Sequence, residues 1–171
     1  MNSHNVRRLL WARGLRAFGD GYVSLLLPAY LLSLGLAPFQ VGIVATGTLL
    51  GSGILTLLVG LNAHRLRYRT LLLAAAALMA ATGLGFAAAT TFWPLLLIAV
   101  VGTLNPSSGD VSVFLPLEHG VLSRVVEDGQ RTATFARYSL VGALVGALGS
   151  LAAALPEMLA AATQLDVRSA Y

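Results

Sequence analysis

Apolar runs of about twenty residues, the length that crosses a ~30 Å hydrocarbon core, recur five times along this sequence. Between the second and third lies Gly60-Leu61-Asn62-Ala63-His64-Arg65-Leu66-Arg67-Tyr68-Arg69, which puts three arginines into a stretch otherwise nearly free of charge. Arginine near a span end is held on the cytoplasmic side during insertion, so this loop reads as a cytoplasmic hairpin between two membrane-spanning helices. Composition agrees. With 57% hydrophobic and 11% charged residues and a mean hydropathy of +0.79, the chain has too little polar surface to cover a soluble globule. Its solvent is expected to be lipid.

Lysine is absent, so all 11 basic residues are arginine; against 7 acidic residues they give a formal net charge of +4. A basic balance can point to nucleic acid. Here the arginines fall at the ends of apolar runs and not on one polar face, so membrane orientation explains them and no nucleic-acid partner is expected. The chain has no cysteine, which excludes disulfides, thiolate metal sites and thiol nucleophiles.

The predicted spans are residues 9–34, 39–61, 70–89, 93–117 and 132–155. The first could instead be a secretory signal peptide, since Arg7, Arg8, Arg13 and Arg16 precede the run Tyr22 to Leu34. Further spans follow it, however, and Asp20 and Pro28 would weaken its apolar segment. Strands are excluded by the length of the runs and by the lack of period-two alternation, and in lipid only helices or closed barrels satisfy the backbone. The fold class is therefore all-α, a polytopic transmembrane helix bundle.

The turns 35–40 and 90–94 hold no charged residue, whereas the N-terminus, Arg65 to Arg69 and Arg124 to Arg131 hold the cations. Charge alternates with side at each crossing. This arrangement predicts a cytoplasmic N-terminus, a multi-pass protein of the inner or plasma membrane, and an external tail over 156–171. Residues 1–155 form one transmembrane bundle in this scheme. The tail has the look of a loop leading toward a sixth helix, so the chain is expected to be an N-terminal piece of a longer protein; a complete small membrane protein is the other possibility.

These residues resemble the major facilitator superfamily of secondary transporters. Its pattern between helices two and three is Gly, three residues, Asp, a basic residue, any residue, Gly, and two basic residues. The chain matches at Gly60, Arg65 and Arg69, and departs at His64, Arg67 and Tyr68. The stretch Arg16-Ala17-Phe18-Gly19-Asp20-Gly21, the tight turn Leu34 to Gln40, and the spacing of the spans add to the likeness, which covers about residues 7–155. The resemblance implies a twelve-helix carrier of two six-helix halves rocking about a central site, with this chain supplying most of the first half. The rest would come from the same chain or from a second subunit. It also implies a cytoplasmic latch at the loop. With an unperturbed pKa of ~6.5, His64 would be mostly neutral and could not supply the fixed negative charge of that latch.

Ionisable residues inside spans cost about 2.5–3.5 kcal/mol each on insertion scales, so each suggests a use. Arg13, Arg16, Asp20 and Ser24 recur at spacings that share one helical face, which should point inward. Arg16 and Asp20 can pair locally, or form part of a pathway or gate. Asn105-Pro106-Ser107-Ser108-Gly109-Asp110 is a polar patch at membrane depth, where Pro removes a donor. It is either a kink satisfied by its serines or a segment that contacts substrate or ion. Asp20, Asn105, Ser108 and Asp110 are the candidate substrate or proton pathway, with Asp110 the first choice as proton carrier because desolvation raises a carboxyl pKa. Glu118, next to His119, reads as a solvated loop-end group. Arg137 is expected to neutralise Asp110 or Glu118 across an antiparallel hairpin. Gate or ion-pair candidates are thus Arg16, Gly60, His64, Arg65, Arg69, Glu118 and Arg137. Gly47 with Gly51, and Gly142 with Gly146, have the spacing that lets helices approach closely in lipid.

No metalloprotease, nucleotide-loop or triad pattern stands out, so no enzyme activity, cofactor or metal is expected. The function the resemblance implies is secondary active transport of a small solute by alternating access, with a coupling proton as a candidate partner besides lipid and substrate. A non-transporting scaffold, or a truncated transporter remnant, is the alternative.

Overall fold

The computed structural model describes residues 3–62, 67–102, 114–126 and 128–155. They form an all-α bundle, as the length of the apolar runs and their lack of period-two alternation require. Helix α1 spans Ser3–Ser33, α2 Pro38–Asn62, α3 Tyr68–Ala88, α4 Phe92–Val101, α5 Phe114–Val125 and α6 Arg131–Ala152, the last preceded by a single 3-10 turn at Asp128–Gln130. Four of the five predicted spans fall on α1, α2, α3 and α6. Helices α4 and α5 lie in the region of the remaining span, but α5 runs on to Val125, eight residues past its predicted end.

Of the described helices, α2, α3 and α6 are long and apolar enough to cross a membrane. Helix α1 has 31 residues, about 46 Å at 1.5 Å per residue, but its charges lower its hydropathy. The surface is apolar in the manner of a protein in lipid: Leu50 is 62% exposed, Leu84 73% and Leu144 58%.

The turn after α1 follows from Gly35, whose φ of +87° suits a residue without a Cβ. Leu36 N–H donates back to Leu31 O at 3.3 Å and Gly35 N–H to Leu32 O at 2.9 Å, closing the helix end. The next helix starts at once. Pro38 fills its first position, where no N–H is needed, and the Gln40 side-chain oxygen accepts from Ala37 N–H at 2.9 Å.

Close backbone approach sets the packing. The main contact in the bundle is α1 against α6, and the next α2 against α4. A Cβ on Gly21 would overlap the carbonyl of Gly146, and one on Gly149 the carbonyl of Phe18. Ser150 Oγ donates to Gly21 O at 3.1 Å across the same contact. Between α2 and α4, Gly51 sits against the Val100 carbonyl and Gly47 against the Leu96 and Val100 side chains. Small residues thus pack where lipid offers no hydrophobic drive between helices. One apolar cluster gathers Leu27, Leu31, Leu36, Val44, Phe86 and Leu95 near the α1–α2 turn. Two smaller ones, around Leu117 and around Leu122, lie on α5 and flank a polar cluster.

Candidate functional site

Arg16 on α1 and Glu118 on α5 form a two-pronged ion pair. Nη1 donates to Oε1 and Nη2 to Oε2, each at 2.7 Å, with the two side chains 7% and 3% exposed. Tyr138 on α6, 1% exposed, donates its hydroxyl to Oε2 of the same carboxylate. All three contacts reach Glu118 from donors, an arrangement that matches the ionised carboxylate. One acid therefore ties three helices together.

Aromatic faces complete the enclosure. The Arg16 guanidinium lies 4.1 Å from the centroid of the Phe114 ring, and that of Arg13 lies 5.1 Å from the Tyr138 ring. Such cation–π contacts reach ~2 kcal/mol when desolvated. Gly142 makes room for Arg13: a Cβ there would come within 2.5 Å of the guanidinium. The His119 ring meets Phe135 and Tyr138 edge-on at centroid distances of 5.0 and 5.3 Å. Its Nε2 is buried with no hydrogen-bond partner among the described residues, as is Arg16 Nε. No group of three or more His, Asp or Glu among the described residues could hold a metal ion.

Two sequence-based expectations are corrected here. Glu118 is not a solvated loop-end group, because α5 continues past it and buries it to 2% exposure. Nor does Arg137 neutralise it, while Asp110, the other carboxylate expected to face Arg137, lies outside the described residues. Arg137 is exposed, and the neighbouring Tyr138 turns inward; a helix rotates ~100° per residue, so adjacent positions face different ways. Glu118 takes its cation from Arg16, 102 residues away in sequence.

The expected inward face of α1 is present: Arg13 and Arg16 are buried, and Asp20 and Ser24 half-buried. Asp20 lies within electrostatic reach of Arg16. Ser24 Oγ donates to Gly21 O at 2.8 Å within its own helix. Gly60 and Arg69 lie exposed at the facing ends of α2 and α3. His64, Arg65, Asn105, Ser108 and Asp110 lie outside the described residues.

Tyr138 was not among the residues singled out in the sequence. A signal was available: Thr134, Tyr138, Gly142 and Gly146 recur every fourth position, a small and polar stripe matching the polar stripe of α1.

Comparison with known proteins adds a family. The pattern of the Major Facilitator Superfamily matches residues 9–170. An uncharacterized membrane protein of Saccharomyces cerevisiae is 28% identical over 145 residues, which cover 84% of this chain and 32% of the yeast protein. The chain thus spans about a third of that relative's length. No solved structure matches it at significance.

Proposed function

The chain belongs to the Major Facilitator Superfamily, and from that premise we propose that it is the N-terminal portion of a secondary active transporter that moves a small solute by alternating access. Membrane location and a transporter-type function are the common ground of the family match and the apolar helices. The finer reading is that the solute crosses with ion coupling, through a pathway that includes Asp20, Asn105, Ser108 and Asp110. The missing partner half lies in the same polypeptide or in a second subunit. The N-terminus faces the cytoplasm in a plasma membrane, and Gly60, His64, Arg65 and Arg69 serve the gate on that side.

The observation that carries this reading is the buried bond between Arg16, Glu118 and Tyr138. A scaffold helix in lipid gains little from burying two opposite charges, since well-packed apolar residues can do as well or better. A carrier does gain. Its helices must hold one arrangement as a unit while the two halves rock, and a directional ion pair fixes register among α1, α5 and α6.

The test is solute flux in proteoliposomes containing the whole polypeptide that carries this sequence, screened over labelled small solutes with and without a proton gradient. Gradient-driven accumulation that is largely lost in Asp110→Asn is expected. Failure of every solute to accumulate, with the protein folded and inserted, would overturn the reading.

A further inference from the structure

Helix α3 begins without a capping side chain. Arg67 stands at its N-cap with extended backbone, φ −74° and ψ 126°, and its side chain bonds none of the helix N–H groups. The usual local clamp on the first turn, where N–H groups lack helical partners, is therefore missing. Arg67 and Arg69 are exposed, but Tyr68 between them is half-buried. It packs against the apolar cluster of Ala75, Phe114 and Leu117.

Gly120 on α5 supplies the seat for this side chain. A Cβ there would lie 2.8 Å from Tyr68 Cε1 and 3.0 Å from the Tyr68 hydroxyl oxygen, and the three atoms nearest to it all belong to Tyr68. Phe114, Leu117 and Gly120 recur every third residue, so they lie on one side of α5. The ion pair is on the other. Gly120 comes two residues after Glu118, a rotation of about 200° at ~100° per residue, so Tyr68 and the Arg16–Glu118–Tyr138 tie grip opposite sides of one helix of 12 residues. Phe114 belongs to both contacts, as a member of the Tyr68 cluster and as the ring 4.1 Å from the Arg16 guanidinium.

We propose that Tyr68 is a positioning residue for the gate between α2 and α3. Seated on Gly120, it fixes the start of α3 against α5, and α5 joins that placement to Arg16 on α1 and Tyr138 on α6. Tyr68 stands where the family pattern has a basic residue, so this chain makes the connection by shape and not by charge. That the hairpin serves a gate rests on the transport reading above; the seat itself does not.

The test measures a distance in the complete polypeptide in lipid bilayers, with spin labels on Thr70→Cys in α3 and Thr132→Cys in α6, both exposed positions. This sequence has no cysteine of its own, and any elsewhere in the polypeptide is replaced. One narrow distance distribution is expected, the same at about 0.1 and 1 M salt, although the screening length falls from ~10 to ~3 Å between them. Tyr68→Phe keeps it. Tyr68→Ala, Tyr68→Arg and Gly120→Leu each widen it and add a second, longer population. Gly120→Leu adds nothing further once Tyr68→Ala is present, because both changes remove the same contact. Helicity by circular dichroism verifies that each variant is folded. In flux of a transported solute, Tyr68→Ala lowers kcat with KM unchanged, and Tyr68→Phe restores it. A distribution that widens with salt, a narrow one in Tyr68→Ala or Tyr68→Arg, further widening by Gly120→Leu in the Tyr68→Ala background, or unaltered kcat in Tyr68→Ala would overturn the proposal. Because the distance needs no solute, its failure is distinct from finding no flux.

Discussion

Arg16 and Glu118 meet through two parallel hydrogen bonds of 2.7 Å although 102 residues separate them in the chain. The pair joins the first helix to the fifth in an interior that also buries Arg13 and Tyr138 among small and apolar side chains. Removing one partner of a buried pair leaves a charge with no compensation, which costs about 3–5 kcal/mol. Replacing both by apolar residues costs far less. The pair is therefore a strong determinant of arrangement without being a large net source of stability.

Tyr138→Phe removes the hydroxyl that Glu118 accepts from and keeps the ring that faces Arg13 and His119. A loss of about 1.5–3 kcal/mol is expected, the usual worth of a hydrogen bond to a charged group. Tyr138→Leu should lose more, because both ring contacts go as well. Reversible unfolding in mixed micelles, following helicity, measures the difference.

Arg137→Ala should change stability by under about 0.5 kcal/mol, as for surface substitutions away from structural features. Its side chain is exposed, and Glu118, one of the two carboxylates expected to face it, is bound to Arg16. A double-mutant cycle of Arg137→Ala with Glu118→Gln should give a coupling near zero. A coupling as large as that of a contact pair would restore the hairpin pairing.

Glycine substitutions should separate two kinds of position. At Gly149 an added methyl overlaps the Phe18 carbonyl, so Gly149→Ala forces α1 and α6 apart at a cost of about 1–3 kcal/mol. At Gly53 in α2 nothing lies within 4 Å, and Gly53→Ala should gain about 0.5–1 kcal/mol through helix propensity. Thermal denaturation of the two variants in one detergent should shift in opposite directions.

Gly35→Ala tests the turn between α1 and α2. No atom lies within 4 Å of the added methyl, so the effect comes from φ alone. A loss of about 1–2 kcal/mol is expected, the cost of the left-handed region for an L residue. Gly35→Asn should lose less, since Asn tolerates that conformation better. Equal behaviour of the two variants in the same unfolding assay would mean the turn relaxes.

The helical fold was legible because each long run carries its own length: α2, α3 and α6 are apolar over enough residues to cross lipid, and Gly35 and Pro38 punctuate the first turn. The polar stripe of α1 was legible too, since Arg13, Arg16 and Asp20 share a face by spacing alone. The partner of that stripe was not. Local spacing made Arg137 a plausible mate for Glu118, but which of two adjacent residues turns inward depends on the phase of α6 against α1. That phase is set by glycine contacts such as Gly21 with Gly146. Glu118 looked solvated because the polar residues after it suggested a loop, whereas α5 continues for two more turns and packs Leu117 and Leu122 around it.

The most direct measurement is a charge exchange at the central pair. Arg16→Glu and Glu118→Arg, each alone, should unfold the bundle at markedly lower denaturant, because each places two like charges together in a buried site. The double exchange Arg16→Glu/Glu118→Arg should recover about 2 kcal/mol or more of the combined loss, within the range measured for residues in direct contact. Additive losses, with the double variant as unstable as the sum of the singles, would contradict a bond between Arg16 and Glu118 and the three-helix tie built on it.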